Sequence, residues 1–329
     1  MAPPQGALEV LTTGRISVDL YSEELGLNWN DITHFVKSVG GTATNVAVAA
    51  ARLGHRSAVF TKLGSDPFGA YVRHRLDDHF GVDITYIGTH PSLPTPVAFA
   101  ALYPPEDPQL YFIGRTPTAP DMTLELGEVD LDVARTVPIF WVTGTAMSGE
   151  PTASTTLALL HERGRRAHTV VDLDYRAMFW PSPEAAHAGI SALLDHATVA
   201  VGNRSECEVA VGTPEPREAA KRLLDRGIEL AIVKQGADGV LVATQAGMDV
   251  VAPMRIKPFC GLGAGDAFGG ALCHGLLLGW DPLRIVEYAN AAGAIVTSRL
   301  LCSDAMPTAA EVDHLLSTGM VPAQDAQGS

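Results

Sequence analysis

Between Val137 and Val240 short β-favouring apolar runs alternate with helical stretches. Ile139 to Thr143 is followed by a helix after Glu150, Thr169 to Leu173 by a helix over Pro183 to His196, and Val199 to Gly202 and Leu230 to Lys234 follow in turn. Alternation of this kind implies parallel strands joined by helical crossovers, so the chain reads as α/β with a mostly parallel central sheet. Leu8 to Thr13, ending at Gly14, and Ala58 to Leu63 add strands of the same character. In an open α/β sheet ligands bind beyond the carboxyl ends of the strands. The residues at those ends are therefore the first candidates for function: Arg15 and Asp19 in the loop after the first strand, Asp172 to Arg176, Asn203 to Glu206, and Lys234 with the turn Gln235 to Gly239. Each has a plainer reading too. Arg15 and Asp19 could be a salt-bridged pair, and an N-x-x-E spacing occurs at many ordinary helix starts.

The second constraint is Gly261-Leu262-Gly263-Ala264-Gly265-Asp266-Ala267-Phe268, three glycines at alternate positions opening into an apolar run to Leu278. Such a turn presents backbone N–H groups and the positive end of a helix dipole to an anion. A carboxylate in that cradle repels bound phosphate, so Asp266 suggests a task such as accepting a proton from a hydroxyl. It could equally be an ordinary first-turn acid. The spacing excludes rivals. A dinucleotide fingerprint starting at Gly263 needs glycine where Phe268 stands, and a P-loop needs a Gly-Lys pair that the chain lacks.

Nearer the start, Gly40-Gly41 precede a small-residue helix, allowing close approach of backbone to a ligand, and Asn45 could meet a substrate hydroxyl or cap that helix. Thr33 to Val39, Thr95 to Leu102 and Gln109 to Gly114 read as a small antiparallel flap, with a proline-rich turn over Tyr103 to Pro108. The flap is a candidate lid, which phosphoryl transfer needs to keep water out. Arg115 beside it could meet an anionic substrate or cap an edge strand. We expect one domain over residues 8–318, lid segments near 15–39 and 95–118, and flexible ends over 1–7 and 319–329.

Composition narrows the partners. A net charge of −14 argues against nucleic acid or anionic membrane, so an anionic small molecule needs locally concentrated arginine. The four cysteines show no C-x-x-C spacing, and no apolar run approaches the roughly 18 residues that span a bilayer. With no signal-peptide pattern at the start, a cytoplasmic location is expected.

Taken in order, Gly40-Gly41 with Asn45, Asn203 to Glu206, Lys234-Gln235-Gly236, and Gly263-Ala264-Gly265-Asp266 before a helix resemble the ribokinase-like (PfkB) family of sugar kinases over nearly the whole chain. Gly14-Arg15 with Asp19, Val142 to Ala146, Asp172 to Arg176 with Trp180, and the hexapeptide Ser303-Asp304-Ala305-Met306-Pro307-Thr308 are similar to a branch of that family that phosphorylates a keto sugar acid in inositol catabolism. The resemblance implies a three-layer α/β/α sandwich with a small β lid. It also implies ATP as phosphoryl donor with Mg²⁺. Asp266 is then the base, and Gly263, Ala264 and Gly265 form the anion hole. Asp19, Gly41 and Asn45 bind substrate hydroxyls, while Arg15, Arg115 and Arg176 are candidates for the substrate carboxylate. Asn203 and Glu206 act through Mg²⁺ and its waters, and Lys234, Gly236, Gly239 and Asn290 flank the nucleotide. Where many relatives carry an acidic or polar residue and a threonine, this chain has Cys260 and Gly261, which leaves a K⁺ requirement open. A homodimer through the lid is plausible by the same resemblance. Two other readings stay open: a family member acting on 2-keto-3-deoxygluconate, fructose, ribose or a nucleoside, and a non-catalytic sugar- or nucleotide-binding protein.

Overall fold

The computed structural model describes residues 6–104, 108–166 and 168–323. Most of the two tails expected to be flexible, and the middle of the Tyr103 to Pro108 turn, lie outside the described residues. In chain order the elements are β1 (Val10–Thr13), β2 (Ser17–Ser22), β3 (Phe35–Gly40), α1 (Thr42–Arg52), β4 (Ser57–Gly64), α2 (Pro67–His74), β5 (Ile87–His90), β6 (Val97–Ala101) and β7 (Gln109–Ile113). There follow α3 (Leu131–Thr136), β8 (Ile139–Thr143), α4 (Thr152–Arg163), β9 (Thr169–Asp172), α5 (Pro183–Leu194), β10 (Val199–Asn203), α6 (Arg204–Val211) and α7 (Pro216–Asp225). The chain ends with β11 (Leu230–Lys234), β12 (Val240–Thr244), β13 (Gly247–Val251), α8 (Ala264–Leu277), α9 (Pro282–Thr297) and α10 (Ala309–Thr318).

Among the described residues the large sheet has the order β13-β12-β11-β10-β9-β8-β1-β4-β5. Its pairs are parallel from β11 to β5, with β12 and β13 added antiparallel at one edge. Helices cover both faces, so inner strands such as β1 and β8 are buried at every position and read as continuous apolar runs. One core lies between the sheet and α1, α2, α8, α9 and α10, the other between the sheet and α3 to α7. The expected three-layer α/β/α architecture is the one observed. No helix among the described residues is long and apolar enough to cross a membrane.

The flap differs from the sequence reading. It is a separate four-stranded sheet, β3-β2-β6-β7, in which β2 and β6 run parallel. Its inner strand β2 occupies what reads from sequence as the loop after β1, so Asp19 sits on a strand rather than in a loop. Val18 and Leu20 alternate with Ser17, Asp19 and Tyr21, and the last three all line one cavity. That period-two pattern marks a strand with two unlike faces.

Two close packings place the site. Small residues on α1 and α8 let the helices touch: a Cβ on Gly270 would overlap Ala49, which leaves glycine the only residue that fits. This contact brings the first turns of α1 and α8 side by side. At the other end of β3, Gly41 has φ 99°, and a Cβ there would overlap the main chain of Arg15. Gly40 leaves room for the Asp19 side chain and Gly41 for the main chain of Arg15, while Gly41 also borders the cavity.

Candidate active site

The cavity lies where the sheet order reverses, between β1 and β8, and is roofed by the lid sheet. Its volume is about 530 Å³. Strand ends supply Arg15, Asp172, Asp174, Arg176, Asn203, Glu206, Lys234 and Gly236, and the turn into α8 supplies Gly261 to Asp266. Gly41, Thr42 and Asn45 come from the start of α1, and the lid contributes Ser17, Asp19, Tyr21, Phe112 and small apolar side chains.

Helix α8 starts at Ala264, with Gly263 as its N-cap in the left-handed region at φ 79°. No side chain caps this end, and apart from a long 3.4 Å contact from the Ala264 N–H to the Gly261 carbonyl its first N–H groups are left for a ligand. A Cβ on Gly263 would lie 2.8 Å from Cys302 Sγ, so bulk is excluded as well as conformation. Asp266 stands in this first turn. Burial, chiefly, raises its pKa to about 6, helped by the charge of Asp174 and opposed by a hydrogen bond from Asn45 and by Arg15 and Arg176. Asn45 lies inside α1 and does not cap it; its Nδ2 donates to Asp266 Oδ2 at 2.7 Å.

Asp172 and Asp174 leave β9 two residues apart, and their surroundings push them in opposite directions. Burial raises Asp172, with Lys234 opposing. Burial also acts to raise Asp174, but Arg15, Arg176 and a hydrogen bond from Thr145 outweigh it and hold the carboxyl below its usual range. Arg15 is committed to this network. Its guanidinium donates to Asp174 and Thr42 through Nη2 and to Thr145 through Nε. Arg176 is 42% exposed, with carboxylate oxygens no nearer than 3.8 Å.

Burial works against the charge on Lys234, yet Glu206, Asp172 and Asp266 together raise its pKa. Its Nζ lies 3.3 Å from where a Cβ on Gly265 would stand, so the ammonium adjoins the anion-binding turn. Asn203 and Glu206 form a capping box at α6: Asn203 Oδ1 accepts from the Glu206 N–H, and Glu206 Oε2 from the Asn203 N–H. The plain reading of the N-x-x-E spacing holds geometrically, while both residues also line the cavity.

Three expected site residues do not line it. Arg115 donates to Asp121 through both terminal nitrogens, at 2.8 and 3.1 Å, and to the Ile16 carbonyl. With Asp121 fully buried and accepting from the Ile16 N–H, this pair clamps the β1–β2 segment. Two arginines, rather than three, therefore reach the cavity. Gly239 closes the β11–β12 turn against Val251, and Asn290 on α9 donates to the Ala252 carbonyl. Sequence reading missed Ser17, Tyr21, Thr42, Phe112 and Cys302 as lining residues, and also Phe179, whose ring centre is 5.3 Å from the guanidinium of Arg15 and 5.3 Å from that of Arg115.

An uncapped helix start, a carboxylate whose pKa burial raises to about 6 and a lid sheet that brings Asp19 over the same cavity make the arrangement of a phosphotransferase with an alcohol acceptor. Comparison with known proteins agrees. The chain matches the pfkB family carbohydrate kinases over residues 7–309 and belongs to that family. It is 34% identical to a 5-dehydro-2-deoxygluconokinase of Photobacterium profundum, with 92% of each chain covered. Among solved structures it is similar to the Vibrio cholerae fructokinase in its fructose-, ADP- and calcium-bound form, with a TM-score of 0.82, 28% identity, and 94% of this chain and 99% of that one covered. An Escherichia coli protein described as a ribokinase II, in complex with ATP and Mg²⁺, shares the fold with a TM-score of 0.84 at 22% identity, over 94% of this chain and 99% of that one.

Proposed function

We propose that this kinase transfers the γ-phosphoryl group of ATP to the primary (C6) hydroxyl of 5-dehydro-2-deoxy-D-gluconate, a step of myo-inositol catabolism in the cytoplasm. The observation that carries the reading is Arg176 in the cavity that holds Asp266, its side chain half exposed, one nitrogen on the Tyr175 carbonyl and its carboxylate neighbours no nearer than 3.8 Å. A substrate carboxylate uses that charge, and a neutral sugar does not. The name carried by the Photobacterium relative points the same way.

In this reading Asp266 takes the proton of the attacking hydroxyl. At pH 7 a group with a pKa of about 6 is about nine-tenths ionised, so the base is ready without a further activating step. The N–H groups of Gly263, Ala264 and Gly265 receive the charge that spreads over the equatorial phosphoryl oxygens, and Lys234 adds a full positive charge beside them. Asp19, held by Ser17 Oγ at 2.8 Å and Tyr21 Oη at 3.2 Å, meets substrate hydroxyls from the lid, with Gly41 and Asn45 across the cavity. Gly236 borders the nucleotide, with Gly239 and Asn290 further from the transferred phosphate.

The donor set suits Mg²⁺, which supplies charge neutralisation on the phosphates. Among the described residues no three His, Cys, Asp or Glu side chains form a metal cage. Mg²⁺ keeps waters and phosphate oxygens as ligands, needing only one or two protein contacts, and Glu206 and Asn203 are the residues that would hold it through water. Cys260 is a buried thiol, a poor ligand for a hard cation such as K⁺. Tyr111 and Ile113, 61% and 49% exposed on the lid edge β7, support a homodimer.

The test is ADP release with MgATP and 5-dehydro-2-deoxygluconate, 2-keto-3-deoxygluconate, fructose or ribose. Preference for the first is expected; preference for fructose or ribose sinks the carboxylate argument and leaves the kinase chemistry standing. Arg176→Met separates the two further. Losing a charged hydrogen bond of about 1.5–3 kcal/mol raises the sugar-acid KM by about 10- to 100-fold. The corresponding amide substrate should lose nothing, and an equal loss for both would remove Arg176 from carboxylate binding. Arg15 is a poorer probe, since its removal leaves Asp174 buried without its partner, at about 3–5 kcal/mol of stability.

A further inference from the structure

The hexapeptide Ser303 to Thr308 has no part in the chemistry described so far. Its first residue is buried, and Ser303 Oγ donates to Asn45 Oδ1 at 2.7 Å. The Asn45 amide thus has its oxygen taken by Ser303 and its nitrogen given to Asp266. An amide turned by half a rotation would set its carbonyl oxygen against the carboxylate and its NH₂ against the serine, losing a good hydrogen bond to the base. From these contacts we infer that Ser303 is a positioning residue for the reaction: its hydroxyl fixes the orientation of Asn45, so that an N–H always faces Asp266.

The donor is itself held firmly. Asp304, next in the chain, accepts from Ser38 Oγ of lid strand β3 at 2.6 Å and pairs with Arg75. Arg299 donates to the Ala305 carbonyl at 3.0 Å, and Arg52 to the Met306 carbonyl at 3.1 Å. The turn is therefore tied to α1, to the segment that follows α9 and to the lid, and a rigid donor orients better than a mobile one. The groups facing Asp266 from the other elements are Arg15, Arg176 and Lys234, with Asp172, Asp174 and the Cys302 thiol. None of them touches Asn45 Oδ1 among the described contacts, so removing the serine hydroxyl changes the base through the amide.

The inference rests on Asp266 as the base, and its test is the acid limb of kcat/KM against pH. In Ser303→Ala the limb should move up by about one unit from its wild-type position near 6, because a carboxylate that loses a donor holds its proton more tightly. Ser303→Thr, which restores a hydroxyl, should bring the limb back toward wild type. KM for ATP should be unchanged. In an Asn45→Ala background Ser303→Ala should shift nothing further. An unshifted limb in Ser303→Ala overturns the inference whatever its turnover, and if that variant does not fold, Ser303→Cys, a weak donor of similar volume, is read in the same way. A wild-type enzyme without a limb near 6 would instead overturn the base reading on which the inference stands.

Discussion

Asp266→Asn is expected to lower turnover by about 10²–10⁴ while leaving nucleotide binding nearly intact, because a positioned general base contributes a factor of that size. The substitution keeps the shape of the side chain and removes its ability to take a proton. Wild-type kcat/KM should fall as pH drops through about 6, where burial has placed the carboxyl, and the residual activity of the variant should lack that limb. Stability offers a control with a definite sign. The folded-state pKa lies above the ordinary carboxyl value of 3.8, so the contribution of Asp266 to folding is present below about 3.8 and lost as pH rises through about 6. At pH 8 the native protein therefore carries an unfavourable buried charge that the asparagine variant lacks. The variant should melt no lower than wild type at that pH, which separates lost chemistry from lost fold. Near-normal turnover with the limb intact would remove Asp266 from the role of base.

The large sheet was legible in the sequence because its inner strands are buried on both faces, and burial on both faces writes an unbroken apolar run such as Ile139 to Thr143. Edge strand β13 was not: Gly247 to Val251 is mostly exposed, and Asp249 and its neighbours carry no such run. The lid was half legible. Strands β3, β6 and β7 stood out between turn residues, but β2 lies only three residues after β1 and reads as a continuation of a loop. The alternation of Ser17, Asp19 and Tyr21 with Val18 and Leu20 was the available signal. In the site, what could be read were groups whose role follows from local chain geometry, above all Gly263 to Asp266 at a helix start. Arg115 shows the limit. Its pairing with Asp121 depends on how the chain returns from the lid to the large sheet, and nothing in local spacing distinguishes that buried clamp from a ligand contact. Ser303 was visible only as an oddity of sequence, since its partner Asn45 is 258 residues away.

Lys234→Met is expected to lower kcat/KM by about 10²–10³, most of it in kcat, the scale observed when one preorganised stabiliser of transition-state charge is removed. Two effects compete at this lysine. Burial favours the neutral amine, while Glu206, Asp172 and Asp266 favour the ammonium, and the acids win, so the group is charged throughout the working pH range. A full charge next to the first turn of α8 acts on the same oxygens as the helix N–H groups, in a site where little water screens it. Methionine keeps an unbranched side chain of nearly the same length at the end of β11 and removes the charge. Lys234→Arg should recover part of the loss and no more, because the ammonium already lies 3.3 Å from the space beside Gly265 and a planar guanidinium is larger. The division between kcat and KM decides the role. An ammonium that meets the phosphoryl group as its charge redistributes affects kcat. A contact made equally in ground and transition states, as with the base or ribose of the nucleotide, would raise KM for ATP and leave kcat alone. That second result would place Lys234 at the nucleoside end of the cavity and leave the helix N–H groups, with the metal, to carry the transferred charge.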